Sequence, residues 1–196
     1  VLMQKEGAAG IPLKADKNLI VIDQAFSLQF LQEYHSIKIK KNPDYRLSVS
    51  EKEIKDPLTF SCMLLKNNFA DGIIAGSVYS TSDVLRSAIS IIGVSKGNKT
   101  VSSFFLFNFP SSGRFRDRVF AYADCGVIPV PDSLQLSDIA IQTSSNFRLL
   151  TGKKPRVAFI SFSTKGSAKD ESLDKIFEAY KITKKKAPEL ICEAEL

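Results

Sequence analysis

Short apolar runs alternate along the chain with segments in which apolar residues recur every three or four positions, and this order predicts a mixed α/β fold. The runs that predict strands are 17–23, 70–75, 100–109, 118–128, 156–161 and 188–195. The periodic segments that predict helices are 26–38, 57–67, 83–92, 132–152 and the stretch that carries Leu173, Ile176, Phe177 and Tyr180. We therefore expect core strands with amphipathic helices packed against them.

Capping residues mark where two of these helices begin. Asp56 precedes Pro57, so a capping side chain is followed by proline at the first helical position. Asp132 has Gln135 three residues later, which is the spacing of a capping box, and Gly152 follows the last apolar position of the same helix.

A cluster of hydroxyl groups lies where the predicted strand 70–75 leads into a helix. The sequence GSVYSTSDVLRSAIS places Ser80, Thr81 and Ser82 at the helix start, and Arg86 follows one turn later. Free N–H groups and the positive end of a helix dipole attract anions, so these groups could converge on one phosphate or carboxylate. An ordinary capped helix with a solvated arginine is the alternative.

A second hydroxyl-rich turn, SFSTKGSAKD, follows the predicted strand 156–161 and precedes the last helix. Its hydroxyls, its backbone amides near the glycine and its lysine could cradle an anion. The candidate residues are Ser163, Thr164, Lys165, Gly166 and Ser167. The turn lacks the GxxxxGK[ST] pattern of a Walker A loop.

Composition and charge narrow the classes of ligand. The chain has 196 residues, 44% hydrophobic and 24% charged, which is typical of a globular protein. The segment GVSKGNK after residue 92 is rich in glycine and lysine, and it predicts a boundary between domains at 1–93 and 94–196. The net charge of +6 favours an anionic ligand such as a nucleotide-like cofactor, a phosphorylated substrate or nucleic acid. The sequence shows no known docking motif for nucleic acid, and the fourteen phenylalanines lie mostly in strand-like runs that predict core, so we expect no nucleic-acid partner.

The cysteines and the single histidine indicate neither a metal site nor histidine chemistry. Cys62, Cys125 and Cys192 are far apart and lack CxxC spacing, and they are expected to be buried. His35 has no nearby pair of carboxylates. The N-terminus lacks the order of a signal peptide, and no apolar run is long enough for a bilayer, so we expect a cytoplasmic protein without a membrane partner.

Six segments, in this order, resemble the phosphate acetyltransferase family within the wider phosphate acetyl/butyryl transferase group. They are ADGIIAGSVYSTSDVLRSAIS, VSSFFLFNF, VFAYADCGVIPVP, LSDIAIQTS, PRVAFISFSTKGSAKDES and APELICEAEL. The resemblance implies an enzyme that interconverts acetyl-CoA plus phosphate with acetyl phosphate plus CoA, without a metal or a tightly bound cofactor. Coenzyme A would be a substrate.

The resemblance also implies an architecture and a place for the candidate residues. It implies two α/β domains with a cleft between them, as in isocitrate and isopropylmalate dehydrogenases, and a homodimer. Ser80, Thr81, Ser82 and Arg86 would face the cleft near phosphate or CoA, and the turn 163–167 would be the cleft element of the second domain.

The chain is shorter than members of this family and is expected to be truncated at both ends. The family's catalytic Ser-Arg-Gly segment and the aspartate after it are expected beyond Leu196, so no residue here is assigned as the catalytic base. A catalytically silent fragment that binds CoA or phosphate is one alternative. Phosphate butyryltransferase is another, and a basic nucleic-acid-binding module is a third.

Overall fold

The computed structural model describes residues 2–4, 20–22, 28–163, 167 and 170–194. These residues form a mixed α/β structure that divides into two compact units, Val1–Gly93 and Val94–Leu196. The elements of the first unit are β1 (Leu2–Gln4), β2 (Ile20–Ile22), α1 (Leu31–Ile39), α2 (Leu47–Glu53), α3 (Pro57–Lys66) and α4 (Thr81–Ile91). Those of the second are β3 (Phe104–Asn108), β4 (Val119–Ala123), α5 (Ser133–Thr151), β5 (Arg156–Phe159), α6 (Glu171–Lys186) and β6 (Ile191–Ala194). No helix within the described ranges is long and apolar enough to cross a membrane.

The core of the first unit is built around α3. Tyr34, Ile54, Phe60 and Met63 are at most 2% exposed and belong to one apolar cluster. The predicted start of α3 is confirmed, because the Asp56 side chain accepts the backbone N–H of Thr59 (2.9 Å) and proline occupies the first turn. Strands β1 and β2 pair in parallel.

Asp56 also holds the segment that leads into α4. The hydroxyl of Tyr79 donates a hydrogen bond to Asp56 Oδ1 (2.6 Å), while Oδ2 of the same carboxylate caps α3. One carboxylate therefore ties the residue before Ser80 to the helix at the centre of the core. This contact fixes where α4 begins.

The predicted strand 70–75 is wrong. This segment is irregular, and Ile74 is fully exposed. A strand needs a partner for its backbone hydrogen bonds, and none of the described strands pairs with this segment. Its apolar residues alone were not enough to make it a strand.

The second unit joins an antiparallel hairpin to a parallel pair of strands and two helices. β3 pairs antiparallel with β4, and β5 pairs parallel with β6. The predicted capping box is confirmed: Asp132 and Gln135 exchange side-chain to backbone bonds of 2.8 and 3.0 Å. Helix α5 ends as predicted at Gly152, whose φ of 68° is in the left-handed region that glycine adopts freely.

Three expectations for this unit need correction. Strands β3 and β4 have five residues each, so they are shorter than the predicted runs 100–109 and 118–128. Phe105 and Phe107 are 58% and 44% exposed, although the pattern predicted core residues. A two-stranded hairpin cannot bury both of its faces, which explains the exposure. Cys125 is only partly buried, whereas Cys62 and Cys192 are buried as expected.

Candidate functional site

The first hydroxyl-rich turn forms the N-terminus of α4, and Ser80 is its N-cap as predicted. Ser80 Oγ accepts the backbone N–H of Asp83 (3.2 Å) and donates to Asp83 Oδ2 (2.6 Å). The hydroxyl of Ser82 lies 2.8 Å from that of Ser80. The serine hydroxyls and one carboxylate thus form a connected group on the surface of the first turn.

Arg86 joins this group through Asp83 and not directly through the hydroxyls. Its Nη1 donates to Asp83 Oδ1 (3.0 Å), and the arginine side chain is 75% exposed. The hydrogen bond from Ser80 and the charge of Arg86 lower the pKa of Asp83, so this carboxylate is ionised at neutral pH. The guanidinium has five N–H donors, and one of them bonds to Asp83. An anion would compete with Asp83 only for that donor.

Backbone donors complete the site. Thr81 is exposed and is the first residue of α4, and Ser82 follows it. Within the described part of the chain, neither of their backbone N–H groups has an acceptor, whereas those of Asp83 and Val84 both bond to Ser80 O. Two unused amides at the positive end of a helix form a site that attracts anions. Hydroxyls, amides and a guanidinium are therefore present together, as the sequence predicted, with Asp83 as an additional member.

The second hydroxyl-rich turn follows β5 in the other unit, and the structure describes only part of it. Ser161 Oγ donates to Ser163 O (2.8 Å) and accepts the Ser163 backbone N–H (3.1 Å), so the chain turns sharply after the strand. Ser167 is exposed. Asp170 caps α6 by accepting the N–H of Ser172 (2.8 Å). The remaining candidates of this turn, Thr164, Lys165 and Gly166, lie outside the described residues.

Catalysis by the histidine receives no support from the geometry. His35 Nδ1 lies 3.0 Å from Ser50 Oγ, but Ser50 is fully buried and cannot meet a substrate. Within the described ranges, no three His, Cys, Asp or Glu side chains converge as ligands for a metal ion.

Sequence reasoning missed Asp83 and Tyr79. Asp83 lies three residues before Arg86, and that spacing places two side chains on one helix face, so the salt bridge could have been inferred. The bond from Tyr79 to Asp56 joins residues 23 positions apart, and no local pattern indicates such a pair. Asp83 adds a negative charge to the site beside Arg86. Tyr79 holds the site in position by attaching the segment before α4 to Asp56.

Comparison with known proteins gives the family. The family pattern of phosphate acetyl/butaryl transferases matches residues 3–196. The phosphate acetyltransferase of Acetivibrio thermocellus is 38% identical over 179 residues, covering 90% of this chain and 54% of that protein. The phosphate acetyltransferase of Clostridium acetobutylicum is 37% identical over 210 aligned positions, covering 98% of this chain and 62% of that protein.

Solved structures agree with the sequence comparisons. A phosphotransacetylase from Streptococcus pyogenes superposes with a TM-score of 0.81 at 28% identity, covering 100% of this chain and 59% of that one. The EutD phosphotransacetylase from Staphylococcus aureus gives a TM-score of 0.75 at 30% identity, covering 92% of this chain and 54% of that one. The chain thus spans between about half and two thirds of the length of these relatives. On this evidence the chain belongs to the phosphate acetyl/butyryl transferase family.

Proposed function

We propose that the protein is a phosphate acetyltransferase, which transfers an acetyl group reversibly between coenzyme A and inorganic phosphate. The observation that carries this proposal is the candidate anion site at the start of α4. There the N–H groups of Thr81 and Ser82, which have no acceptor among the described residues, adjoin the hydroxyl of Ser80 and the guanidinium of Arg86. The acetyl group, as opposed to butyryl, is favoured because both curated relatives described above carry the name phosphate acetyltransferase.

The reaction requires positive groups around phosphate. In the direction of acetyl-CoA, the thiol of CoA loses a proton and attacks the carbonyl carbon of acetyl phosphate, so a C–S bond forms and the C–O bond to phosphate breaks. Charge accumulates on the departing phosphate oxygens, and donors fixed in place stabilise it. We assign this role to Arg86, to the two amides and to the hydroxyl of Thr81. The single hydroxyl proton of Ser80 is donated to Asp83 Oδ2, so Ser80 would donate to phosphate only after that bond breaks. We assign no residue as the base.

Asp83 has a positioning role in this proposal. Its two carboxylate oxygens accept bonds from Ser80 Oγ (2.6 Å) and Arg86 Nη1 (3.0 Å), so the guanidinium is oriented before the anion arrives. Such preorganisation lowers the entropic cost of binding. The negative charge of Asp83 also limits how strongly the site holds phosphate, which favours release of the product.

The second turn is proposed to contact CoA or phosphate through Ser163, Thr164, Lys165, Gly166 and Ser167. The presence of one such turn in each compact unit supports this assignment. We also propose that the units are parts of the two domains of an isocitrate-dehydrogenase-like enzyme, that the protein is a cytoplasmic homodimer, and that it needs no tightly bound cofactor.

A turnover assay with matched variants tests the proposal. Acetyl-CoA formation from acetyl phosphate and CoA is followed for the unmodified chain, for Arg86→Gln and for Arg46→Gln. Arg46 is an exposed arginine at the start of α2 and provides the same change of charge away from α4. Loss of one charge-assisted contact is expected to raise the KM for acetyl phosphate about tenfold in Arg86→Gln. Arg46→Gln is expected to match the unmodified chain.

Three outcomes would contradict parts of this proposal. An unchanged KM in Arg86→Gln would remove Arg86 from the phosphate site. Binding of CoA without turnover would favour the silent-fragment alternative, and faster turnover with butyryl phosphate than with acetyl phosphate would favour phosphate butyryltransferase.

A further inference from the structure

The second unit contains a cavity of about 490 Å³ that the proposed reaction does not use. Its walls come from the C-terminal half of α5, from the turn between α5 and β5, and from the connection between α6 and β6. A volume of this size lies within the range of small-molecule sites.

The cavity lies at the opposite end of β5 from the hydroxyl-rich turn. Pro155, one of its wall residues, immediately precedes β5, whereas Ser161 and Ser163 follow the end of that strand. Four residues of extended chain span about 13 Å. A ligand in the cavity would therefore occupy a site distinct from Ser161 and Ser163.

Two cations, Arg148 and Lys154, line this cavity. Within the described part of the chain, neither Arg148 nor Lys154 makes a salt bridge or a side-chain hydrogen bond. Glu189 also lines the wall, and the C-terminal end of α5 contributes partial negative charge. These two contributions offset part of the positive charge, so the wall favours an anion with a single charge over a phosphate dianion.

The rest of the wall is largely apolar and contains one unsatisfied hydroxyl. Ile141, Pro155 and Leu190 supply apolar surface. Ser144 also lines the cavity and is 7% exposed, and its Oγ has no hydrogen-bond partner among the described residues. This oxygen has almost no accessible surface of its own, so the wall offers a ligand mainly apolar side chains and the two cations.

We propose that this cavity, formed by α5, the 152–155 turn and the chain before β6, binds a small organic monoanion that carries a carboxylate on a short apolar chain. Arg148 and Lys154 pair with the carboxylate, and the apolar wall takes the chain. The site is independent of the proposed transferase chemistry and would be a second ligand site on the same unit.

A titration followed by nuclear magnetic resonance tests this inference. Hexanoate, acetate and hexanol are added to the ¹⁵N-labelled chain at constant ionic strength, and shifts of the backbone amides are recorded. Hexanoate is expected to cause saturable shifts centred on Ser144 and Gly152. Each methylene is worth about fourfold in affinity when buried, so acetate is expected to bind at least tenfold more weakly. Hexanol lacks the charge and is expected to bind at least threefold more weakly.

Variants separate a built site from general attraction of anions. Arg148→Gln and Lys154→Gln are each expected to weaken hexanoate binding about threefold, and the double variant more. Lys181→Gln, which removes an exposed charge of α6 away from the cavity wall, is expected to have no effect. Inorganic phosphate is expected not to displace hexanoate. Three results would overturn the inference. They are hexanol binding as tightly as hexanoate, the Lys181→Gln variant weakening binding as much as Arg148→Gln and Lys154→Gln, and amide shifts centred away from Ser144 and Gly152.

Discussion

Replacement of Asp124 by asparagine should destabilise the second unit, because this carboxylate organises the chain after β4. Asp124 Oδ1 accepts the hydroxyl (2.6 Å) and the backbone N–H (3.3 Å) of Ser103. The same oxygen accepts the N–H groups of Gly126 (3.0 Å) and Val127 (3.2 Å), and Oδ2 accepts that of Ile128 (2.8 Å). One charged side chain therefore fixes the loop 126–128 to the residue that precedes β3.

The size of the effect follows from the pKa of this carboxyl. Burial alone would raise the pKa of Asp124, but the hydrogen bonds from Ser103 and from the loop amides lower it from 3.8 to about 2. A lowering of this size corresponds to about 2.4 kcal/mol of stabilisation of the folded state at neutral pH. Since Asp124 keeps some contact with solvent, screening reduces the expected loss in Asp124→Asn to about 1–2 kcal/mol.

The effect should also depend on pH with a defined sign. A carboxyl whose pKa is lower in the folded state than in the unfolded state stabilises the fold when it is ionised in both. This stabilisation is complete above the unfolded value of 3.8, decreases as the pH falls, and is lost below about 2. The gap between the unmodified chain and Asp124→Asn should therefore be constant from pH 7 to about 5 and shrink below about 4.

Urea unfolding followed by far-UV circular dichroism measures this gap, since the sequence has no tryptophan for fluorescence. Asp71→Asn is the matched control, because Asp71 is exposed, and a change there is expected to stay within about 0.5 kcal/mol. The thiol of Cys125 donates to Ser103 Oγ (3.3 Å), so Asp124→Asn should also speed its labelling. The reasoning would be refuted if Asp124→Asn and Asp71→Asn had equal free energies of unfolding at pH 7. It would also be refuted if the difference in this free energy between the unmodified chain and Asp124→Asn were the same at pH 3 as at pH 7.

Three further predictions concern single contacts. Asp132→Ala removes the N-cap of α5 and should lower the free energy of unfolding in urea by about 0.5–2 kcal/mol. An unchanged free energy would show that the cap is dispensable. Thr183→Val leaves the buried hydroxyl of Ser137, now 2.9 Å from Thr183 Oγ1, without this partner. We expect a loss of about 1–3 kcal/mol that adding Ser137→Ala partly restores, and an additive double variant would contradict this. Burial raises the pKa of the Cys62 thiol to about 11. Maleimide at pH 8 should therefore modify Cys125 much faster than Cys62, and equal rates of modification would contradict this.

Features that depend on nearby residues could be predicted from the sequence. The Asp56–Pro57 start, the Asp132 capping box and the Gly152 end are each defined by residues within one helical turn of each other, and all three are confirmed. Ser80 as the N-cap of α4 belongs to the same class. Local hydrogen bonds of this kind form wherever the helix forms, so their signature is visible without knowledge of the tertiary structure.

Features that depend on distant partners could not be predicted in the same way. The apolar segment 70–75 matches the composition of a core strand, but strand formation depends on a neighbour that the segment itself does not specify. The short helix α2 (Leu47–Glu53) was missed for a related reason. Its two apolar side chains, Leu47 and Val49, form no helical stripe, and the helix is held by contacts such as the bond from Tyr34 to Glu53 (2.6 Å).

The candidate site combines both kinds of feature. Its donors come from one helix start, so the sequence alone predicts an anion there, and this ligand class stays a prediction. Asp83 changes the strength of that site without changing its class, because it neutralises part of the charge of Arg86 while orienting Ser80. Under the function proposed above, donors partly neutralised by one carboxylate would bind phosphate and still release it, which is what a reversible transfer requires.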